Sequence, residues 1–165
     1  MRYTIKQRLF SIGGDSRITD EHGRGLYEVD GKAISIGRRL VLKDPRGRRA
    51  ATIQQQLVAL SPTFSVEVAG GGSARVSLKL LTLLDRLKID VPGWDDLEAR
   101  GDLLHHEYAI VRGSREVARV SKRWVTLVDT YGVEIDDDQD QVLLLCCAVI
   151  VDEILDMRER ASQQD

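Results

Sequence analysis

Short stretches in which apolar and polar residues alternate fill much of the first 128 residues of the chain. The segment from Tyr3 to Leu9 alternates at a period of two, as a strand does when one face packs on a core. Similar stretches are Leu26–Asp30, Leu40–Lys43, Ala51–Leu57, Phe64–Val68, Ala74–Leu81, Glu107–Val111, Glu116–Val120 and Val125–Val128. Because strand-like stretches recur about every 8–12 residues with turns between them, the pattern predicts an all-β barrel or sandwich.

Three turn sequences share the form Asp-x-x-Gly: Asp20-Glu21-His22-Gly23, Asp44-Pro45-Arg46-Gly47 and Asp129-Thr130-Tyr131-Gly132. An aspartate at the first position of a turn hydrogen-bonds the backbone that follows, and a glycine supplies the positive φ of a bulged hairpin. We therefore expect a tight turn at each of these three sites.

The pattern changes after the acidic stretch from Asp136 to Asp140. The segment from about residue 139 to 160 lacks Gly and Pro, follows several aspartates and ends near Arg158 and Arg160, which predicts a helix. Its first three turns are apolar on every side, so the helix lies either in a protein interior or in a membrane. The longest apolar run, Val142–Val151, covers only about 15 Å as a helix, half the thickness of a bilayer. A helix buried on all sides in a β-rich chain predicts a closed barrel around it.

Length and composition fit one globular domain over residues 1–165. Hydrophobic residues make up 42% and charged residues 30% of the 165 positions, as in ordinary folded domains. The net charge is −2, but the charged residues are unevenly distributed along the chain. Residues 1–50 carry a net charge of +6, and residues 129–165 carry −9. No overall basic field attracts nucleic acid, and the few aromatic residues do not interleave with basic ones. We therefore expect no nucleic-acid partner.

Five short motifs in this order resemble one protein family: Tyr3-x-Ile5-Lys6-Gln7, Val29-Asp30-Gly31-Lys32, Ile53-x-Gln55, Ser121-Lys122-Arg123-Trp124 and Asp129-x-Tyr131-Gly132-Val133. Together with the terminal apolar helix they are similar to the LURP-one-related proteins, a group related to the tubby C-terminal domain and to phospholipid scramblases. The resemblance covers nearly the whole chain. It implies a closed β-barrel of about twelve strands around a central hydrophobic C-terminal helix. It also implies, less directly, binding of phospholipid headgroups at a membrane surface.

Motifs of catalysis and cofactor binding are absent from the sequence. It contains no phosphate-binding Gly-x-x-x-x-Gly-Lys loop, no dinucleotide-binding Gly-x-Gly-x-x-Gly before a helix and no Gly-x-Ser-x-Gly nucleophile elbow. His105, His106 and Glu107 cluster, but we interpret them as a strand edge, where the two imidazoles point to opposite faces. Cys146 and Cys147 fall within the apolar helix and are interpreted as small buried hydrophobes. We expect a non-catalytic domain without a cofactor.

Basic residues cluster at three places that could contact an anionic surface. Arg46, Arg48 and Arg49 surround the tip of a predicted hairpin, where side chains reach a flat surface without deforming the core. The other candidates for anion or lipid binding are Arg38, Arg39, Lys122 and Arg123. An anionic phospholipid is the preferred partner, and an acidic surface of another protein, in an interaction scaffold, is the alternative.

The acidic stretch offers weak candidates for calcium, Asp136, Asp138 and Asp140, whose carboxylates suit a hard cation. Tyr131 and Val133 depart from the ligand pattern of a calcium loop, so we interpret the aspartates as turn and cap residues and expect no metal site. Two adjacent cysteines with no third suggest a reducing compartment, and the N-terminus lacks the apolar core of a signal peptide. We expect a cytoplasmic protein without a transmembrane span, in peripheral contact with a membrane.

Overall fold

A computed structural model describes residues 1–7, 16–34, 37–56, 62–79 and 86–164, with only the backbone at residues 32–34, 79 and 159. Within these residues twelve strands precede one long helix. The strands are β1 (Arg2–Gln7), β2 (Ser16–Asp20), β3 (Gly25–Ile34), β4 (Gly37–Lys43), β5 (Arg49–Gln56), β6 (Thr63–Val68), β7 (Ser73–Lys79), β8 (Arg86–Asp90), β9 (Leu97–Asp102), β10 (Glu107–Arg112), β11 (Arg115–Ser121) and β12 (Thr130–Ile135). The helix is α1 (Gln141–Ser162), and a 3-10 turn, Lys122–Trp124, follows β11.

The twelve strands form a closed antiparallel barrel in which each strand pairs with its neighbours in the chain. The last strand closes the barrel against the first, with Arg2 opposite Glu134 and Tyr3 opposite Val133. A closed barrel leaves no unpaired strand edge for another chain to extend. Contacts with partners therefore fall to side chains on the wall and to the connections at the two ends.

Alternation of side chains along the strands fills the interior. On β4, Leu40 and Leu42 are buried while Arg39 is exposed, and on β6, Phe64 and Val66 are buried while Glu67 is exposed. A period of two in the sequence thus becomes an apolar inner face and a polar outer face.

Helix α1 lies inside the barrel, and every residue from Leu143 to Ile154 is buried. Its first turn is capped by Asp140, whose Oδ1 accepts a hydrogen bond from the backbone N–H of Leu143 at 3.0 Å. Cys146, Cys147 and Ala148 are small, which leaves room for the side chains of the surrounding strands. The predicted barrel with a central C-terminal helix is confirmed. Among the described residues, no helix combines the length and hydropathy needed to cross a bilayer.

Two of the three predicted turns are confirmed. Asp20 Oδ1 accepts from the backbone N–H groups of His22 and Arg24, both at 2.9 Å, and Asp44 does the same for Arg46 and Arg48. The glycines of these turns have φ of 78° and 76°, a conformation that favours glycine.

The third predicted turn is wrong, because β12 begins at Thr130 and includes the glycine that was expected to form the turn. The predicted strand Val125–Val128 is also wrong, since the chain there is an irregular connection that ends at Asp129, with φ 57°. Strands β2, β8 and β9 were not predicted, and residues 8–9, 57 and 80–81 of the predicted strands lie outside the described residues.

Because the strands run alternately up and down, successive connections lie at opposite ends of the barrel. We call the end where α1 begins the entry end; it contains residues 21–24, 44–48, 69–72, 91–96, 113–114 and 136–140. The opposite, exit end contains the connections 103–106 and 122–129 and the C-terminal end of α1.

Candidate functional site

A buried polar network joins α1 to the barrel wall. Asp152 lies on the buried part of α1, and its Oδ1 is 2.5 Å from His106 Nε2. The hydroxyl of Tyr131 donates to the other carboxylate oxygen, and the rings of His106 and Tyr131 stack with centroids 4.5 Å apart. Burial and the nearby carboxylate of Asp152 raise the pKa of Tyr131 well above its usual value, so Tyr131 keeps the proton that it donates. A buried carboxylate requires such partners.

Two polar atoms of this region lack hydrogen-bond partners within the described part of the chain: Nδ1 of His106 and the hydroxyl of Tyr108. His106 also has φ 54°, a left-handed conformation that is unfavourable for a residue with a Cβ. The backbone is therefore held in an unfavourable conformation where His106 meets Asp152. The network is enclosed by the barrel, and its residues are buried.

A second buried carboxylate lies next in the chain. Glu153 Oε2 is 2.8 Å from Arg38 Nε, and the two side chains form an ion pair. Burial raises the pKa of Glu153 to about 7, although the charge of Arg38 acts in the opposite direction. Arg38, predicted as an anion-binding residue, thus points inward and pairs with the helix.

The exposed apolar side chains of the exit end lie on its two described connections. Leu127 is 65% and Val128 81% exposed, and Leu104 is also exposed. The two connections are joined by Glu107, which accepts from the Ser121 hydroxyl at 2.9 Å and from the backbone N–H of Lys122 at 3.1 Å.

The connection 122–129 is held against the barrel wall by Trp124. The ring of Trp124 lies over Gly132, where a Cβ would come within 2.8 Å of Trp124 Cε3. At the other end of the connection, the carbonyl of Asp129 accepts from the backbone N–H of Gln7 at 2.9 Å. Since both ends are fixed, Leu127 and Val128 are presented to solvent by a supported loop.

Exposed cations lie beside these apolar residues. Lys122 and Arg123 occupy the start of the same connection, and both are exposed. Arg123 is 3.9 Å from Glu107, while Lys122 has no ion pair among the described residues. We call Leu104, Lys122, Arg123, Leu127 and Val128 the exit-end patch.

Two further cations lie near the exit end on the adjacent strands β1 and β2. Lys6 and Arg17 are exposed and directly opposite one another, and neither has an ion pair within the described ranges. Like charges at directly opposed positions of a sheet are destabilising, so the pair adds positive potential beside the patch without stabilising the strands.

The seven predicted anion-binding residues do not lie together. Lys122 and Arg123 are at the exit end, Arg39 is on the outer wall, and Arg38 is turned inward. Arg46, Arg48 and Arg49 surround the β4–β5 turn at the entry end, the opposite end of β4 from Arg38. In that turn Arg48 Nε is 2.7 Å from Asp44 Oδ2, and Arg46 and Arg49 are exposed.

The three calcium candidates are engaged in other contacts. Arg115 lies 2.8 Å from Asp136 and 3.0 Å from Asp138, and Asp140 caps α1. Within the described ranges no group of three or more His, Cys, Asp or Glu side chains is arranged to hold a metal ion.

The predicted strand position of His105 and His106 is wrong. Both precede β10, in the turn 103–106, where His105 Nδ1 is 2.7 Å from Asp102 Oδ2. His106 reaches into the barrel instead, to Asp152. Cys146 and Cys147 are buried and unpaired, and burial raises the pKa of both thiols, that of Cys147 to about 12. The thiolate form is therefore suppressed at both positions.

The architecture defines the class to which the protein belongs, a closed twelve-stranded β-barrel filled by its C-terminal helix. Comparison with solved structures finds the same fold in a protein of Arabidopsis thaliana determined by X-ray crystallography. The two superpose with a TM-score of 0.65 at 17% sequence identity, over 93% of this chain and 91% of the other.

The sequence model of the LURP-one-related family matches residues 1–152, and the chain belongs to that family. It is also 26% identical over 151 residues to the uncharacterized protein YxjI of Bacillus subtilis (strain 168), covering 92% of this chain and 91% of the relative. The resemblance found in the short sequence motifs is therefore confirmed.

Sequence reasoning missed the buried network and the three apolar residues of the exit-end patch. Asp152 and Glu153 directly follow the apolar run of a helix expected to be buried on every side, which was a usable signal that they need internal partners. Leu127 and Val128 were assigned to a strand, so their exposure was hidden by an incorrect secondary-structure prediction.

Proposed function

We propose that this LURP-one-related protein is a non-catalytic binding domain that docks on anionic phospholipid membranes through its exit-end patch. The observation that carries the proposal is the pairing of two exposed aliphatic side chains, Leu127 and Val128, with two exposed cations, Lys122 and Arg123. Aliphatic side chains gain free energy when they leave water for the acyl boundary, and cations gain it near anionic headgroups.

The free energies expected for the side chains of the exit-end patch are sufficient for reversible binding to a membrane. Full burial of a Leu or Val side chain is worth about 1.5–3 kcal/mol. Each basic residue near an anionic leaflet adds about 1 kcal/mol, which falls off within a Debye length. Two apolar and two basic side chains therefore support binding that weakens as salt rises. The cytoplasmic leaflet, which carries anionic lipid, is the surface we propose, and the unpaired cysteines agree with a reducing compartment.

The supported loop favours this end of the barrel over the other. The β4–β5 turn at the entry end also carries exposed arginines, but it lacks apolar residues and its Arg48 is already paired with Asp44. The two ends cannot contact one flat membrane together, because they lie at opposite ends of the strands. Lys122 and Arg123 therefore cannot share a docking surface with the arginines of the β4–β5 turn.

Co-sedimentation with vesicles tests the proposal. Wild type should bind vesicles of phosphatidylcholine and phosphatidylserine at low salt and should not bind phosphatidylcholine alone. The double variant Lys122→Glu/Arg123→Glu should weaken binding by at least about fivefold for each cation removed. The variant Leu127→Ser/Val128→Ser should also weaken binding, and it should reduce the part that persists at high salt.

The matched control is Arg46→Glu/Arg49→Glu, which makes the same charge change at the entry end and should leave binding nearly unchanged. Loss of binding in this control, with the exit-end variants unaffected, would place the docking surface at the entry end instead. If wild type ignores anionic vesicles even at low salt, the membrane proposal is overturned. The exit-end patch would then be the surface to test for a protein partner.

A further inference from the structure

A cavity at the entry end lies between the first turn of α1 and two connections of the barrel. It has a volume of about 430 Å³, within the range of pockets that hold small organic molecules. Its walls are the β6–β7 turn at Gly71–Ser73, the β8–β9 connection with Trp94, the end of β10 at Arg112, and residues 138–140 before α1. Nothing in the proposed membrane contact uses this cavity.

The cavity is lined by an unusually exposed aromatic residue. Trp94 is 72% exposed, and a turn fixes its backbone, with the Trp94 N–H donating to the carbonyl of Val91 at 3.1 Å. The guanidinium carbon of Arg112 lies 5.9 Å from the centroid of the Trp94 ring. A large exposed aromatic ring at the wall of a cavity offers a stacking surface for a planar group.

Arg112 is the second element of the site. Its Nε is buried and has no hydrogen-bond acceptor among the described residues, and no carboxylate there lies within ion-pair distance of it. A buried N–H of a charged group without an acceptor is costly, at about 1–3 kcal/mol or more. The planar guanidinium is suited to a carboxylate or a phosphate.

The carboxylates that line the same cavity are already engaged. Asp138 pairs with Arg115 at 3.0 Å, and Oδ1 of Asp140 caps α1. Oδ2 of Asp140 faces Gly72, where a Cβ would come within 2.5 Å of it. Arg112 therefore remains as the cation of the cavity without a carboxylate partner in the described part of the chain.

We propose that this cavity binds a small organic anion, a planar ring that carries a carboxylate or a phosphate. The ring stacks on Trp94, and the anionic group accepts hydrogen bonds from Arg112. The cavity is lined by two carboxylates, Asp138 and Asp140, and by two arginines, Arg112 and Arg115. Because these charges offset one another, a simple probe of this size should bind weakly, with a Kd of about 1 mM.

An NMR titration with phenyl phosphate tests the proposal. It monitors the signals of the two tryptophan indole N–H groups. Trp94→Phe assigns the two signals. The Trp94 signal should shift in a saturable way, whereas the Trp124 signal should not. Phenol and inorganic phosphate each supply only half of the ligand, and both should bind more weakly than phenyl phosphate.

Two variants separate the contributions of the two residues. Arg112→Gln should raise the Kd for phenyl phosphate by about tenfold or more, because it removes the charged hydrogen bonds. Trp94→Ala, at an exposed position, should also weaken binding when it is measured by calorimetry. Arg46→Gln removes the same charge from a different turn of the same end and should leave the Kd unchanged.

The proposal is overturned if phenyl phosphate does not shift the Trp94 signal, or if Trp94→Ala binds it as wild type does. Equal loss of binding in Arg112→Gln and Arg46→Gln would also overturn it, because that result shows general attraction by positive charge and no specific site. Equal affinity for inorganic phosphate and phenyl phosphate would exclude stacking on Trp94.

Discussion

Asp152 and Glu153 place two neighbouring carboxylates inside a barrel that aliphatic and aromatic side chains otherwise fill. Each has partners from outside the helix: His106 of the turn 103–106 and Tyr131 of β12 for Asp152, and Arg38 of β4 for Glu153. Removing one partner of such a pair leaves a buried charge unpaired. The two carboxylates thus fix how the helix is seated in the barrel, beneath the end that we propose to contact the membrane.

The raised pKa of Glu153 predicts an unusual dependence of the protein's stability on pH. The pKa of Glu153 is about 7 in the folded protein, above the 4.5 that is ordinary for a glutamate, so the folded state binds more protons than the unfolded state between these two values. The stability due to Glu153 is therefore fully present below pH 4.5 and is lost as pH rises through 7, by up to about 3 kcal/mol.

Urea unfolding of wild type and Glu153→Gln at a series of pH values from 5 to 8 measures this contribution. The difference in free energy of unfolding, wild type minus variant, should fall as pH rises. Glu67→Gln, at an exposed position on β6, is the control and should give a flat difference. A flat difference for Glu153→Gln as well would show that the carboxyl ionises as in water.

At the level of elements, the interior helix determines whether the barrel can form. Val149 is 3% exposed, and Val149→Asp would place an unpaired charge among apolar side chains. The expected loss is several kcal/mol, comparable with the total stability of a domain, about 5–15 kcal/mol. Circular dichroism should show no cooperative melting for this variant, or the protein should be insoluble.

Gln163→Asp introduces the same charge at an exposed position beyond α1 and should melt close to wild type. A soluble Val149→Asp variant that melts cooperatively near the wild-type temperature would contradict the interior position of the helix.

Most strands and the helix could be predicted from the sequence because their patterns are long and regular. In a chain of this size, the apolar run from Val142 to Val151 is stable as a helix that the sheet encloses. The connection 122–129 could not be predicted. Its Val125–Val128 segment has the composition of a strand, but the packing of Trp124 on Gly132 and the hydrogen bond from Gln7 to Asp129 hold the chain on another path.

The candidate sites were predicted less well than the fold. Basic residues are visible in a sequence, but the end of the barrel at which each one lies depends on the topology. Arg38 and Arg39 are adjacent in the chain, yet one pairs with the interior helix and the other is exposed. Arg112 and Trp94 are 18 positions apart in the sequence and carry no shared motif.

At the level of the whole molecule, the barrel separates two surfaces with different chemistry. The exit-end patch combines supported aliphatic side chains with cations, and the entry end contains the Trp94–Arg112 cavity and the acidic residues before α1. A molecule with this arrangement can contact a membrane with one end while the other end stays in solution. Binding of a small anion at the entry end would then remain possible on the membrane.

Site-specific labelling tests the membrane contact most directly. It is selective because the native cysteines, Cys146 and Cys147, are buried and their thiolate forms are suppressed. A cysteine introduced at Val128, or at Ser114 of the entry end for comparison, can therefore be labelled alone with a fluorophore sensitive to polarity. When vesicles containing phosphatidylserine are added, the label at position 128 should brighten and shift to shorter wavelength, and the label at position 114 should not change. A response at position 114 without one at position 128 would contradict the proposed orientation, and no response at either position would contradict the membrane contact itself.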